Sequence, residues 1–161
     1  MTTSDGQAHL RLRAGDMMFN LLVKDLMKPA KAVTLSPEAT VSKAAELMAR
    51  HSTGAVMVVE GERLTGIFTE RDALVRVVAG GLDPRATRLA EVMTAEPKTV
   101  GPGTSYGYAL VIMQENGFRH VPVVENGKPV GIVSARNAMD PDLEEFAAEA
   151  NRREHIRNTG K

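Results

Sequence analysis

The feature that most constrains this 161-residue chain is an internal duplication. Val56-Met57-Val58-Val59-Glu60 returns as Val121-Pro122-Val123-Val124-Glu125. Gly66-Ile67-Phe68-Thr69-Glu70-Arg71-Asp72-Ala73-Leu74 returns as Gly131-Ile132-Val133-Ser134-Ala135-Arg136-Asn137-Ala138-Met139. The offset is 65 in both, and Pro37/Pro102 and Met48/Met113 keep it. Asp25-Leu26-Met27 and Glu91-Val92-Met93 match at 66, so one residue is inserted between these points. A unit of roughly sixty residues buries too little surface to be comfortable alone, and two copies packed together solve that problem.

Each copy reads as β-α-β-β-α. A short apolar piece (Val33-Thr34-Leu35; Thr99-Val100) precedes a Pro-containing turn. Val41, Ala44, Ala45 and Met48 then fall on one helical face, as do Ala109, Ile112 and Met113. Val-rich strands follow at 55–59 and 120–124. Turns at Glu60-Gly61-Glu62 and Asn126-Gly127 lead into return strands at 64–68 and 129–133, Asn-Gly being a strong hairpin signal. Second helices start at Thr69 and Ser134. The spacing predicts a flexible leader over 1–19, a first repeat over 20–82, a second over 83–140 and a helical or partly disordered tail over 141–161. Gly80-Gly81-Leu82-Asp83-Pro84 links the repeats.

Composition excludes several functions. There are no cysteines, hence no disulfide, thiolate metal site or cysteine nucleophile. Lys plus Arg and Asp plus Glu both total 20, which gives no global pull toward nucleic acid or anionic membrane. Arg152, Arg153 and Arg157 read as a solvated helix end. No apolar run reaches the ~20 residues that span a bilayer. His9, His51, His120 and His155 lack metal-ligand spacing, so no metal is expected. The methionines at repeat-equivalent positions read as core filler. Gly101-Pro102-Gly103 is neither a dinucleotide loop nor a Walker sequence, and the repeat assigns it to a turn. Nothing resembles a nucleophile with its base, and no enzyme is expected.

The sharpest constellation is Thr69-x-x-Asp72 with its counterpart Ser134-x-x-Asn137. As local structure it is a helix N-cap box. The same helix start exposes N–H groups that favour a phosphate, and the carboxylate can accept both hydroxyls of a ribose. The two readings are compatible.

The repeated pattern Gly-hydrophobic-x-(Thr/Ser)-x-x-(Asp/Asn), behind a strand of the form His-Val-Pro-Val-Val, resembles the CBS domain family over about residues 21–140. The resemblance implies an α/β (α+β) fold of two β-α-β-β-α repeats related by a pseudo-two-fold, with a C-terminal helical tail beyond them. It implies two clefts able to take AMP, ADP, ATP or S-adenosylmethionine as a regulatory ligand, with no obligatory cofactor. Thr69 and Asp72 would serve one cleft, with His120 and its flanks as far as Pro122 on the base. Ser134 and Asn137 would serve the other, with Ala55. Arg119, three before Pro122, would reach phosphate, whereas its first-copy equivalent is Gly54. Arg71 and Arg136 are either forked phosphate donors or solvated first-turn residues. His120 is either a phosphate contact or a partly buried strand-start histidine. Asn137 replaces the usual Asp and carries no charge, which ranks the Asp72 cleft first. The resemblance also implies a cytoplasmic, energy-sensing regulator, a homodimer formed through helices, and a partner enzyme or transporter acted on in trans. The alternative is a structural interaction module whose caps are only caps.

Overall fold

A computed structural model describes the chain over residues 19–138. The expected tail lies outside the described residues, as does the expected leader save residue 19. In the first copy a helical turn, α1 (Val23–Leu26), leads into β1 (Lys28–Pro29), a 3-10 turn (Ala30–Ala32) and β2 (Thr34–Leu35). Helix α2 (Val41–Arg50) and the hairpin β3 (Ala55–Glu60) and β4 (Arg63–Thr69) follow. The chain then enters a helix that begins as α3 (Glu70–Asp72) and continues with π-type turns over Ala73–Val78. The second copy runs through α4 (Leu89–Val92), β5 (Thr94–Ala95), α5 (Tyr106–Asn116), β6 (His120–Glu125) and β7 (Lys128–Ser134) to a 3-10 turn at Ala135–Ala138. Where β2 pairs with β3 in parallel, the second copy keeps only a parallel bridge between Val100 and Val123.

Local chemistry accounts for the element boundaries. The Thr40 hydroxyl accepts from the Lys43 N–H at 3.3 Å to start α2, and Ser105 does the same for α5 through Tyr108 at 3.2 Å. Gly117, in the left-handed region, ends α5. Asn126 and Gly127 both have positive φ, which matches a two-residue hairpin turn to the strand twist. The two hairpins share one register, including a shift after Val58 and after Val123.

The sheets exchange their outer strands. One sheet has the order β2-β3-β4-β5 and the other β1-β7-β6. The strand that opens each copy therefore completes the sheet of the other. Pro29 stands opposite Gly131, and Ala95 opposite Gly66. These glycines explain the first position of the repeated motif. A Cβ on Gly131 would lie 2.7 Å from the Lys28 carbonyl oxygen and 2.7 Å from the Met27 sulfur, and one on Gly66 would collide with the Met93 sulfur. The paired methionines pack partly buried against the two cores, in line with the filler reading.

Strand alternation divides the core into three. Val56, Val58 and Phe68 face the first copy's helices with Val41, Ala44 and Leu89. Val121, Val123 and Val133 face the second copy's helices with Tyr106, Ala109 and Met113. Between the sheets, Ala55, Met57 and Ile67 meet Val33 and Ile132. The strands are buried on both faces, which is why their apolar runs are continuous rather than alternating. The apolar face read on α2 divides differently from expectation. Val41 and Ala44 enter the core and Met48 packs partly buried against it at the edge of a cleft, while Ala45 is exposed and lines that cleft.

Candidate functional site

Both copies of the motif sit where a hairpin's second strand turns into a helix. At the first, the Asp72 N–H donates to the Thr69 hydroxyl at 3.3 Å, and the Thr69 N–H donates to Asp72 Oδ2 at 3.0 Å. This is the reciprocal capping box expected from the spacing. Asp72 has further partners. The Thr69 hydroxyl donates to Oδ2 at 3.2 Å, the Thr94 hydroxyl donates to Oδ1 at 3.4 Å, and Arg76 Nε lies 3.5 Å from Oδ1. Asp72 is only 8% exposed, so both carboxylate oxygens are engaged within the protein.

At the second copy, the Ser134 N–H donates to Asn137 Oδ1 at 3.0 Å and its hydroxyl donates to the same oxygen at 3.1 Å. The Asn137 amide nitrogen makes no hydrogen bond among the described residues. The repeat offset puts Lys28 beside the Ser134 motif where Thr94 stands beside the Asp72 motif, and Pro141 where the Asp72 motif has Arg76.

A cleft of about 1200 Å³ opens between the copies on the Ser134 side. β1 contributes Lys28 and Pro29, α2 contributes Ala45 and Met48, and the segment before β3 contributes Ser52 and Gly54. The second copy brings Arg119, His120, Ser134, Arg136 and Asn137. Five of the expected site residues are thus gathered in one place. The other five do not line this cleft. Ala55 and Pro122 are fully buried in the strands. Thr69 and Asp72 cap one another, and Arg71 donates across the copies to the Gly117 carbonyl at 3.4 Å.

At Gly54 the first copy comes close to the second. A Cβ there would lie 3.0 Å from His120 Cε1 and 3.1 Å from Glu70 Cδ. Burial pushes the His120 imidazole below its ordinary pKa, Arg119 adds to that, and the Glu70 carboxylate opposes it. The sequence reading missed Lys28 and Glu70. For Lys28 the signal was available, because the 66-residue offset places it against Thr94.

A family model described as the CBS domain matches residues 23–79 and again 89–141. The chain belongs to the CBS domain family. Among curated proteins, this CBS pair is 38% identical over 112 residues to CBS domain-containing protein YhcV of Bacillus subtilis, covering 70% of the chain and 79% of the relative. It is 34% identical to the meiotically up-regulated gene 70 protein of Schizosaccharomyces pombe, over 72% of the chain but only 17% of that far longer protein. Among solved structures it resembles a putative signal-transduction protein with CBS domains from Burkholderia ambifaria, with a TM-score of 0.65 and 34% identity over 73% of this chain and 88% of that one. It also resembles the CBS domain protein PAE2072 from Pyrobaculum aerophilum, which was solved complexed with AMP, with a TM-score of 0.65 and 28% identity over 73% of this chain and 89% of that one.

Proposed function

We propose that this CBS pair is a non-catalytic regulatory module that binds an adenosine-type ligand, AMP, ADP, ATP or S-adenosylmethionine, in the cleft on the Ser134 side. The observation that carries this reading is the convergence of Ser134, Asn137, Arg119 and Arg136 on one inter-copy cleft. Its volume of about 1200 Å³ lies somewhat above the roughly 300–1,000 Å³ typical for small-molecule sites, enough for a nucleotide. The AMP complex of PAE2072 supports the ligand class.

In this proposal the Ser134 hydroxyl and the Asn137 amide hold the ribose diol. Arg136 and Arg119 meet phosphate, and His120 borders the base. Charge alone ranked the Asp72 side first. The bonding of its carboxylate to Thr69, Thr94 and Arg76 favours the opposite order, since a diol there would have to displace those partners. Thr69, Asp72 and Arg71 then hold a second, poorer half-site, while Ala55 and Pro122 stay buried within the strands. Ligand binding would change how one copy packs on the other, and a partner enzyme or transporter would read that surface. Such coupling requires different affinities in two states. The setting proposed is the cytoplasm. No helix among the described residues is long and apolar enough to cross a membrane, and a formal net charge of zero argues against nucleic acid as partner.

Thermal unfolding with each adenosine compound tests this reading. A ligand at about 100 times its Kd adds about 2.7 kcal/mol of stability. No shift with any of them at millimolar concentration defeats it.

A second reading, an interaction module, draws on exposed Leu74, Val75 and Val78, of which Leu74 is 63% and Val78 69% exposed. Tyr108 and Val111 on α5 are exposed as well. A homodimer formed through these helices is compatible with ligand sensing. Light scattering should report twice the chain mass, and a monomer would count against the dimer.

A further inference from the structure

We infer that the cleft selects a phosphorylated, polyanionic ligand over a neutral or cationic one, with Lys28 as its specificity-determining cation, because Lys28, Arg119 and Arg136 all line it without an ion-pair partner among the described residues. The inference rests on the nucleotide reading above and deepens it.

Lys28 belongs to the strand that crosses from the first copy into the second copy's sheet. Its register opposite Ile132 places it beside the end of β7, next to the Ser134 motif. Its ammonium donates to the His51 carbonyl at 2.5 Å. An ammonium has three donors, so two are left for a ligand. Among the described residues, the ion pairs are Arg76–Asp72, Arg88–Glu38, Arg88–Glu91 and Lys128–Glu62. None of them involves a cleft cation. Among the described residues the one carboxylate lining the cleft is Glu70, which lies by His120 and Gly54 rather than in an ion pair.

The duplication provides an internal control. The repeat-equivalents of Lys28, Arg119 and Arg136, which surround the Asp72 motif instead, are Thr94, Gly54 and Arg71. Only Arg71 is charged, and it already donates to a carbonyl. The Asp72 half carries its own counter-charge in Arg76. The two halves therefore differ in kind: one is neutralised from within, and the other has three cations that make no ion pair among the described residues around an open space. An anion entering that space compensates them. The sulfonium and amine of S-adenosylmethionine would bring further positive charge into it.

Isothermal titration of the full chain with ATP, ADP, AMP, adenosine and S-adenosylmethionine tests the inference. ATP and ADP should bind about tenfold or more tightly than adenosine and S-adenosylmethionine, as expected for hydrogen bonds to charged groups. Lys28→Met should weaken ATP by about tenfold and adenosine by less than about twofold, and Lys28→Arg should retain most of the ATP affinity. S-adenosylmethionine or adenosine binding as tightly as ATP overturns the inference while leaving the nucleotide reading intact. So does a Lys28→Met variant that weakens every ligand equally, because Lys28 would then only support the fold. Binding of none of the five compounds overturns both. If Lys28→Met does not fold, the ranking of the five ligands on the unaltered chain decides.

Discussion

Arg76 follows Asp72 by one helical turn and closes on it, Nε to Oδ1, at 3.5 Å. Its Nη1 also donates to the carbonyls of Val92 and Met93 at 3.1 and 2.8 Å. A single guanidinium thus neutralises the first motif's acid and ties the first copy's last helix to the end of α4, just before the strand that completes the first copy's sheet. The corresponding position in the second copy is a proline, which has no such group.

The Asp72–Arg76 unit should therefore behave as structure. Asp72→Ala removes a reciprocal cap and should lower stability by about 0.5–2 kcal/mol in urea unfolding. Arg76→Ala should cost about 1–2 kcal/mol through two lost carbonyl bonds. The double variant should lose less than the sum, since the two side chains interact directly. Neither single change should reduce ATP affinity by more than about twofold, well below a lost charge-assisted contact. A tenfold loss in Asp72→Ala would return the site to the first copy's side.

Gly131 and Gly66 hold equivalent places, but alanine should cost more at Gly131. There the new methyl meets the Lys28 carbonyl oxygen at 2.7 Å, a backbone atom fixed by strand pairing. At Gly66 the nearest obstacle is the Met93 side chain, which can change rotamer, and the closest backbone atom, the Thr94 carbonyl oxygen, lies farther off at 3.1 Å. Overpacking of this kind costs about 1–3 kcal/mol. Chemical denaturation should place Gly131→Ala near the upper end of that range and Gly66→Ala near the lower. Equal costs would show that the methionine is as rigid as the backbone.

Much of the fold was legible in the sequence for a simple reason. A duplicated pattern of Val-rich strands, glycine-containing hairpin turns and capping spacing repeats each of these local signals. Both hairpins and both motif junctions lie where those signals place them. The crossed strands were not legible. β1 and β5 are two residues each, too short to show any period, and their partners are fixed only by long-range packing. Ala45 read as core because helical periodicity identifies an apolar face, not whether a neighbouring element covers it. The internal engagement of Asp72 was half visible: Arg76 stands at i+4, but its reach to Val92 and Met93 depends on where α4 lands.

His120 should impose a pH dependence on stability. Its folded pKa lies below the ordinary 6.5, chiefly through burial. On acidification the unfolded chain takes up a proton first, so it binds more protons than the native state in this window. Stability should fall as the pH drops through about 6.5. His120→Asn should flatten that part of the profile when unfolding free energy is measured between pH 7.5 and pH 5.5. Parallel profiles for the two proteins would assign the slope to other groups.

The most direct test of the central claim is a crystal structure of the chain grown with ATP. The account predicts one nucleotide per chain, its ribose against Ser134 and Asn137 and its phosphates toward Lys28, Arg119 and Arg136, with the Asp72–Arg76 pair intact. A nucleotide seated on Thr69 and Asp72 with Arg76 displaced, or a cleft without nucleotide at saturating ATP, would contradict it.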